Sequence, residues 1–303
     1  MTFEFRPEAQ LELHTQGFHV PRSPLLRAFR DFMRNWPATL ETSVKIHGDV
    51  VHADRFVLYS PRLPSSSEHH SPRESFHAAR NFIVQWAESN GLALDESLLH
   101  EIIDERFDFS KVVRTFIGFD QRATPKDSRI KLWLSIEDYP AIVDRVVAVS
   151  GRESDIRSLL VEGNVLFGFD FDFSGGTEVK IYAHLDGETL RQDDLRKTVR
   201  PAFGHRLNAL ADMCTGMMIH FYIKRPGRVI IFHFHQLPNH DVDRFMETLE
   251  EPRFEKAYSV YRGKRLLRAS FSLDEDEIAK GEYSIMNQSY YGLWAARGES
   301  EPN

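Results

Sequence analysis

Four cationic residues, Arg55, Lys131, Lys180 and Lys224, each fall on the polar face of a different segment in which polar and apolar residues alternate. Cations aimed from separate strands can converge on one anionic group. The same faces carry Trp133, Tyr182, Tyr222 and Tyr291, whose rings can pack inside the protein or stack over a cation. Asp170 and Asp172 lie two residues apart on one polar face. Such a pair repels unless a cation sits between its members, whether Mg²⁺, a lysine or a cationic group of a ligand. Pairing of Asp172 with Lys180 across a hairpin is the plainer alternative. His47 can exchange a proton near neutral pH. His220, His233 and His235 have no matching Cys, Asp or Glu cluster, so they read as polar interior histidines, and no metal ligand is assigned. Asp193-Asp194 is not a DDxxD metal motif, because Lys197 takes the fifth position. The GxSxG, P-loop, GxGxxG and HExxH signatures do not occur.

The elements that position these residues follow from periodicity. In Arg129–Ile136 the residues Arg129, Lys131, Trp133 and Ser135 share one face, and Ile130, Leu132, Leu134 and Ile136 the other. This period of two marks a strand with one apolar and one polar side. Residues 166–173 place four phenylalanines opposite Gly168, Asp170 and Asp172, and 178–184 follow after Ser174-Gly175-Gly176 as a hairpin. Further pairs are 42–48 with 54–60, 114–119 with 129–136, and 216–224 with 228–235, and a weaker last pair is 256–262 with 283–292. Helical patterns fit 23–35, 73–91, Asp95 to about Phe107, 138–149, 153–162, 187–212 and 241–250. The run Asp274–Glu277 reads as a helix start.

The element order helix, helix, strand, strand thus recurs about five times, with short turns that make neighbouring strands antiparallel. The polar strand faces are rich in His, Lys, Asp, Tyr and Trp. Closing the sheet into a barrel ringed by helices gives those faces a lumen wide enough for a ligand. An open sheet with one solvated face is the alternative.

Composition narrows the function classes. The 303 residues include 38 Lys+Arg and 45 Asp+Glu, for a net charge of −7, with 23 Phe and one Cys. The acidic balance argues against nonspecific nucleic-acid binding, and the apolar runs are too short to span a membrane. Cys214 alone excludes an intramolecular disulfide, and the charged N-terminus lacks a signal-peptide pattern, so a cytoplasmic protein is expected.

Several stretches resemble the cyanobactin prenyltransferases, a branch of the ABBA-fold prenyltransferases. They are 10–33, SVKIHGDVVHADRFVLYS (43–60), VVRTFIGFD (112–120), SRIKLWLSI (128–136), LLVEGNVLFGFDFDFSG (159–175), the 216–235 hairpin and SYYGLW (289–294). The resemblance implies an α+β fold, residues 1–303 forming one barrel of about ten antiparallel strands closed around a lumen and ringed by helices. It implies transfer of a C5 or C10 isoprenyl group from dimethylallyl or geranyl diphosphate to a side chain of a macrocyclic peptide, assisted by Mg²⁺. Arg55, Lys131, Lys180 and Lys224 are then expected to hold the diphosphate. Trp133, Tyr182, Tyr222 and Tyr291 would shield the allylic cation, while Met218 and His220 would line the prenyl pocket. His47 stands where the family carries a glutamate that serves as base or acceptor anchor, so either the imidazole takes over or the base lies elsewhere. With Asp170 and Asp172 as further catalytic candidates, an Arg or His acceptor is weakly favoured over Tyr or Trp. The alternatives are a small-molecule aromatic prenyltransferase of the same fold, and a non-catalytic barrel that binds an anionic ligand.

Overall fold

The computed structural model describes residues 3–5, 7–36, 38–47, 50–60, 71–151, 157, 160, 163–186, 216–222, 228–234, 244–248, 250, 252–262, 266–274 and 285–296. The chain opens with β1 (Phe3–Phe5), α1 (Pro7–Gly17) and α2 (Pro24–Asn35). The hairpin β2 (Thr39–His47) and β3 (Val50–Tyr59) leads into α3 (Pro72–Ser89) and α4 (Ser97–Ile102). Then come β4 (Val112–Asp120), β5 (Arg129–Ile136), α5 (Pro140–Ser150), β6 (Val165–Asp172) and β7 (Gly176–Asp186). Next are β8 (Gly216–Tyr222), β9 (Arg228–Phe234), α6 (Pro252–Tyr258), β10 (Leu266–Asp274) and β11 (Ile285–Ala296).

Every ladder is antiparallel, and each strand from β2 to β11 pairs with the next in sequence. β11 pairs in addition with β2, from Ile285↔His47 to Tyr291↔Glu41, so the run of ladders returns to its starting strand. β1 continues along the same edge of β11 at 294–296.

Among the described residues the apolar strand faces are buried. Ile130, Leu132, Leu134, Phe167, Phe169 and Phe171 are all fully or almost fully buried. α2 follows from its caps: Ser23 Oγ accepts from Leu26 N at 2.9 Å, and Pro24 occupies the first turn, where no amide is needed. Its Phe29 packs on Phe56 of β3 and Phe119 of β4, with ring centroids 6.1 and 4.4 Å away. α3 starts on a capping box between Ser71 and Glu74, and Gly91 follows it with φ +61°.

The last quarter differs from the sequence expectation. Residues 252–258 form α6, with turns through 262, where a strand is expected, and the strand starts at Leu266. Asp274 ends β10, and 275–280 lie outside the described residues, as do almost all of the helices expected over 153–162 and 187–212. The helix expected from Asp95 to Phe107 is the single short α4, and of the helix expected over 241–250 the described residues 244–248 are helical. α1 and β1 have no counterpart in the sequence reading.

α1 is helical without an apolar stripe, because it buries polar side chains on the β2–β11 seam. Gln10 Nε2 donates to Leu40 O, Thr42 Oγ1 and Tyr290 O at 3.3, 3.2 and 2.8 Å, bridging both strands. His14 Nε2 lies 2.7 Å from Ala53 O, a carbonyl that only accepts, so this nitrogen carries hydrogen. His14 Nδ1 then accepts from Tyr261 Oη at 2.7 Å, and Tyr261 Oη accepts from Thr42 Oγ1 at 2.6 Å. One proton arrangement with a neutral imidazole satisfies the whole chain. Burial pushes the His14 pKa down to about 4, against the opposing pull of the Ala53 carbonyl.

The unfolded chain takes up this proton near pH 6.5 and the folded one near 4, so stability from His14 is complete above pH 6.5 and lost as pH falls toward 4. That shift corresponds to about 3 kcal/mol. Denaturant titrations of wild type and His14→Gln at pH 7.5 and 4.5 should show a smaller acid loss in the variant, by up to that amount.

Candidate active site

The opposite faces of the same strands carry the charge. On β4 and β5 the alternation that turns Phe119 and Ile130 toward the helices turns Asp120 and Lys131 inward. Lys131 and Asp120 are each 8 % exposed and Asp170 is 4 % exposed. Burial of charged strand positions to this degree excludes a sheet face open to bulk water at these residues.

Asp120 is the hub. Its Oδ1 accepts from Arg55 Nε at 3.0 Å and its Oδ2 from Lys131 Nζ at 2.8 Å. The ladders explain the meeting: Asp120 pairs with Arg55 on one side and Arg129 on the other, while Lys131 pairs with Asp170. Burial works to raise the Asp120 carboxyl, but Lys131 and Arg55 outweigh it and hold it well below the carboxylate range. Burial lowers the Lys131 ammonium against the pull of Asp120 and Asp170, and the Arg55 and Lys180 charges lower it further. Lys45 of β2 is lowered by the same causes, burial first and then Arg55. Lys180 Nζ donates to Asp170 Oδ2.

Aromatic groups border this cluster. The indole of Trp133 lies against the sheet wall, and two glycines make room for it. A Cβ at Gly168 would sit 1.9 Å from Trp133 Cδ1, and one at Gly118 would sit 3.0 Å from Cζ3. Trp133 Nε1 donates to Tyr182 Oη at 3.0 Å, which fixes the ring in its plane. Lys131 Nζ lies 6.0 Å from the Trp133 ring centroid.

The structure therefore brings together Arg55, Lys131, Lys180, Trp133, Tyr182 and Asp170. Asp172 stands apart at the β6–β7 turn, where its Oδ1 accepts from Ser174 N and Oγ at 2.8 and 2.7 Å. These bonds lower its pKa. Among the described residues Asp172 does not pair with Lys180, which sits opposite Gly168 in the ladder and donates to Asp170. Tyr222 pairs with Lys180, His220 with Tyr182, Met218 with His184, His47 with Val50 and Ile285, and Tyr291 with Glu41 and Arg268. The side chains of these five strand positions, and the whole of Lys224, lie outside the described residues. Sequence reasoning missed Asp120 and Lys45. The signal was present, since both continue the polar alternation of strands already read as such.

Asp120→Asn leaves two buried cations without their shared counter-charge. Loss of one partner of a buried ion pair costs about 3 kcal/mol or more. Because the folded-state pKa is depressed, that stabilisation is complete above pH 4 and fades below it. Chemical denaturation of the two proteins should show the gap at pH 7 and its narrowing at pH 3.

The fold has known counterparts. A 5-dimethylallyltryptophan synthase from Streptomyces coelicolor superposes with a TM-score of 0.54 at 10 % identity, covering 93 % of this chain and 95 % of that one. A 6-dimethylallyltryptophan synthase from Micromonospora olivasterospora, solved with DMASPP and Trp, gives 0.54 at 13 % identity over 94 % and 95 %. Another 6-dimethylallyl tryptophan synthase gives 0.57 at 13 % identity over 93 % of each chain. At these identities the likeness establishes a shared fold, that of the ABBA prenyltransferases. No functionally curated protein matches the chain by sequence. A family model does match, over residues 9–289, and the chain belongs to that family, DUF5838, a family of unknown function.

Proposed function

We propose that the chain, acting as one domain, is an aromatic prenyltransferase that moves a dimethylallyl group from dimethylallyl diphosphate to a small aromatic acceptor. The observation that carries this reading is the buried convergence of Arg55, Lys131 and Lys180 from three strands beside the Trp133 and Tyr182 rings. In the transfer the bond between the allylic carbon and diphosphate oxygen breaks, and its electron pair leaves with the diphosphate. The three cations lower the barrier by stabilising the charge that develops there. The positive charge left on the allyl group lies against aromatic faces, and burial keeps water from capturing it. A carbon or nitrogen of the acceptor then bonds to the allylic carbon and gives up a proton.

The acceptor class follows the structural neighbours, which carry tryptophan in their names. The macrocyclic peptide and the C10 donor implied by the sequence resemblance gain no support from them. Among the described residues no three His, Cys, Asp or Glu side chains gather into a metal site. A Mg²⁺ ion would enter bound to the diphosphate, since Mg²⁺ prefers substrate phosphates and water to a full protein cage. No helix among the described residues is long and apolar enough to cross a membrane.

Mass spectrometry of the protein with dimethylallyl diphosphate, Mg²⁺ and a panel of tryptophan, other indoles and phenols tests the reading. A gain of about 68 Da on one acceptor is expected, one C5 unit replacing one hydrogen. Lys131→Met should lower kcat/KM about a hundredfold or more, the usual effect of deleting one preorganised donor at a developing charge. Absence of product from every acceptor, together with no binding of the thiolodiphosphate analogue, would contradict it.

A further inference from the structure

We infer that Asp170 binds the acceptor, taking a hydrogen bond at its Oδ1 from a planar N–H group stacked near Trp133. The inference rests on the transferase reading and adds the chemistry of the second substrate. Asp170 is 4 % exposed, and its two oxygens are in unlike states. Oδ2 is held by Lys180, whereas Oδ1 is buried without a hydrogen-bond partner among the described residues. A buried carboxylate oxygen left in that state costs free energy, which a ligand donor would recover.

The surroundings specify the donor. Glu178 sits directly opposite Asp170 in the β6–β7 ladder, so a second carboxylate is one strand away on the same face. On the other side Lys131 stands opposite Asp170 in the β5–β6 ladder, so the row alternates in sign, and Oδ1, a carboxylate oxygen that only accepts, calls for an N–H donor. Gly168, two residues from Asp170 on the same face, is the position over which the Trp133 indole lies. A flat ring or guanidinium laid along that indole can extend its N–H toward the neighbouring row, where Asp170 sits. The cations on the other side, Arg55 and Lys131, are engaged by Asp120. Asp170 would thus serve both sides of the site: Oδ2 positions Lys180, and Oδ1 receives the acceptor.

The test uses the full chain saturated with the non-ionising thiolodiphosphate analogue of the donor. Calorimetry then compares tryptophan, a histidine amide and an arginine amide with their N-methylated counterparts, in wild type and Asp170→Asn. At least one N–H probe should bind wild type about tenfold or more tightly than its N-methyl form, the effect of one hydrogen bond to a buried charge. Asp170→Asn should erase that preference, read at saturating donor analogue after its own affinity for the analogue has been measured. Equal binding of N–H and N-methyl forms by wild type overturns the inference, as does binding of no probe by protein that holds the analogue. The first comparison needs no variant, so misfolding of Asp170→Asn leaves it intact. Failure of wild type to bind the analogue at all would instead count against the transferase reading.

Discussion

Charged side chains on a buried strand face are the constraint around which this molecule is arranged. Arg55 and Lys131 come from strands on either side of β4, and Asp120 between them compensates both. Without it both cations would lose the carboxylate they share, in a medium that solvates charge poorly. The arrangement holds the cations in place before any ligand arrives. A site of this kind stabilises a departing anion without reorganising as the bond breaks.

The helices and the seam serve the same end. Phe29 of α2 locks against Phe56 and Phe119, whose neighbours in sequence are Arg55 and Asp120. Packing on the outer face thereby fixes the register of the charged residues on the inner one. At the β2–β11 seam, α1 supplies Gln10 and His14 to a buried hydrogen-bond chain joining the first and last strands of the ring of ladders. Polar groups there specify which strands meet, a task for which apolar side chains are less selective.

Much of this was legible in the sequence, and the failures have physical causes. The strand pairs from 42 to 235 show because polar and apolar residues alternate along them, and where side chains are described the apolar face is the buried one. Arg55, Lys131, Lys180, Trp133 and Tyr182 could be placed on shared faces for that reason. α1 escaped notice because the face it buries carries Gln10 and His14 beside Leu11, which breaks the apolar period that marks a helix. The strand expected at 256–262 is α6 and its following turns, since Phe254, Ala257, Tyr258 and Tyr261 recur at helical spacing and are buried together. The ionic partner of a residue is set by register, which alternation does not reveal. Asp172 therefore read as a partner for Asp170 or Lys180, while the structure gives Asp170 to Lys180 and Asp172 to Ser174. Tight packing is equally hidden: nothing in the sequence marks Gly118 and Gly168 as the floor beneath one indole.

The central claim is that the Asp120-centred cations are a diphosphate site. A crystal structure of the protein soaked with the thiolodiphosphate analogue of dimethylallyl diphosphate tests it most directly, with the sulfur located by anomalous scattering. The account predicts phosphate oxygens within hydrogen-bond distance of Arg55, Lys131 and Lys180, and the prenyl chain against Trp133 and Tyr182. A diphosphate bound elsewhere, with these three cations still turned only to Asp120 and Asp170, would contradict it.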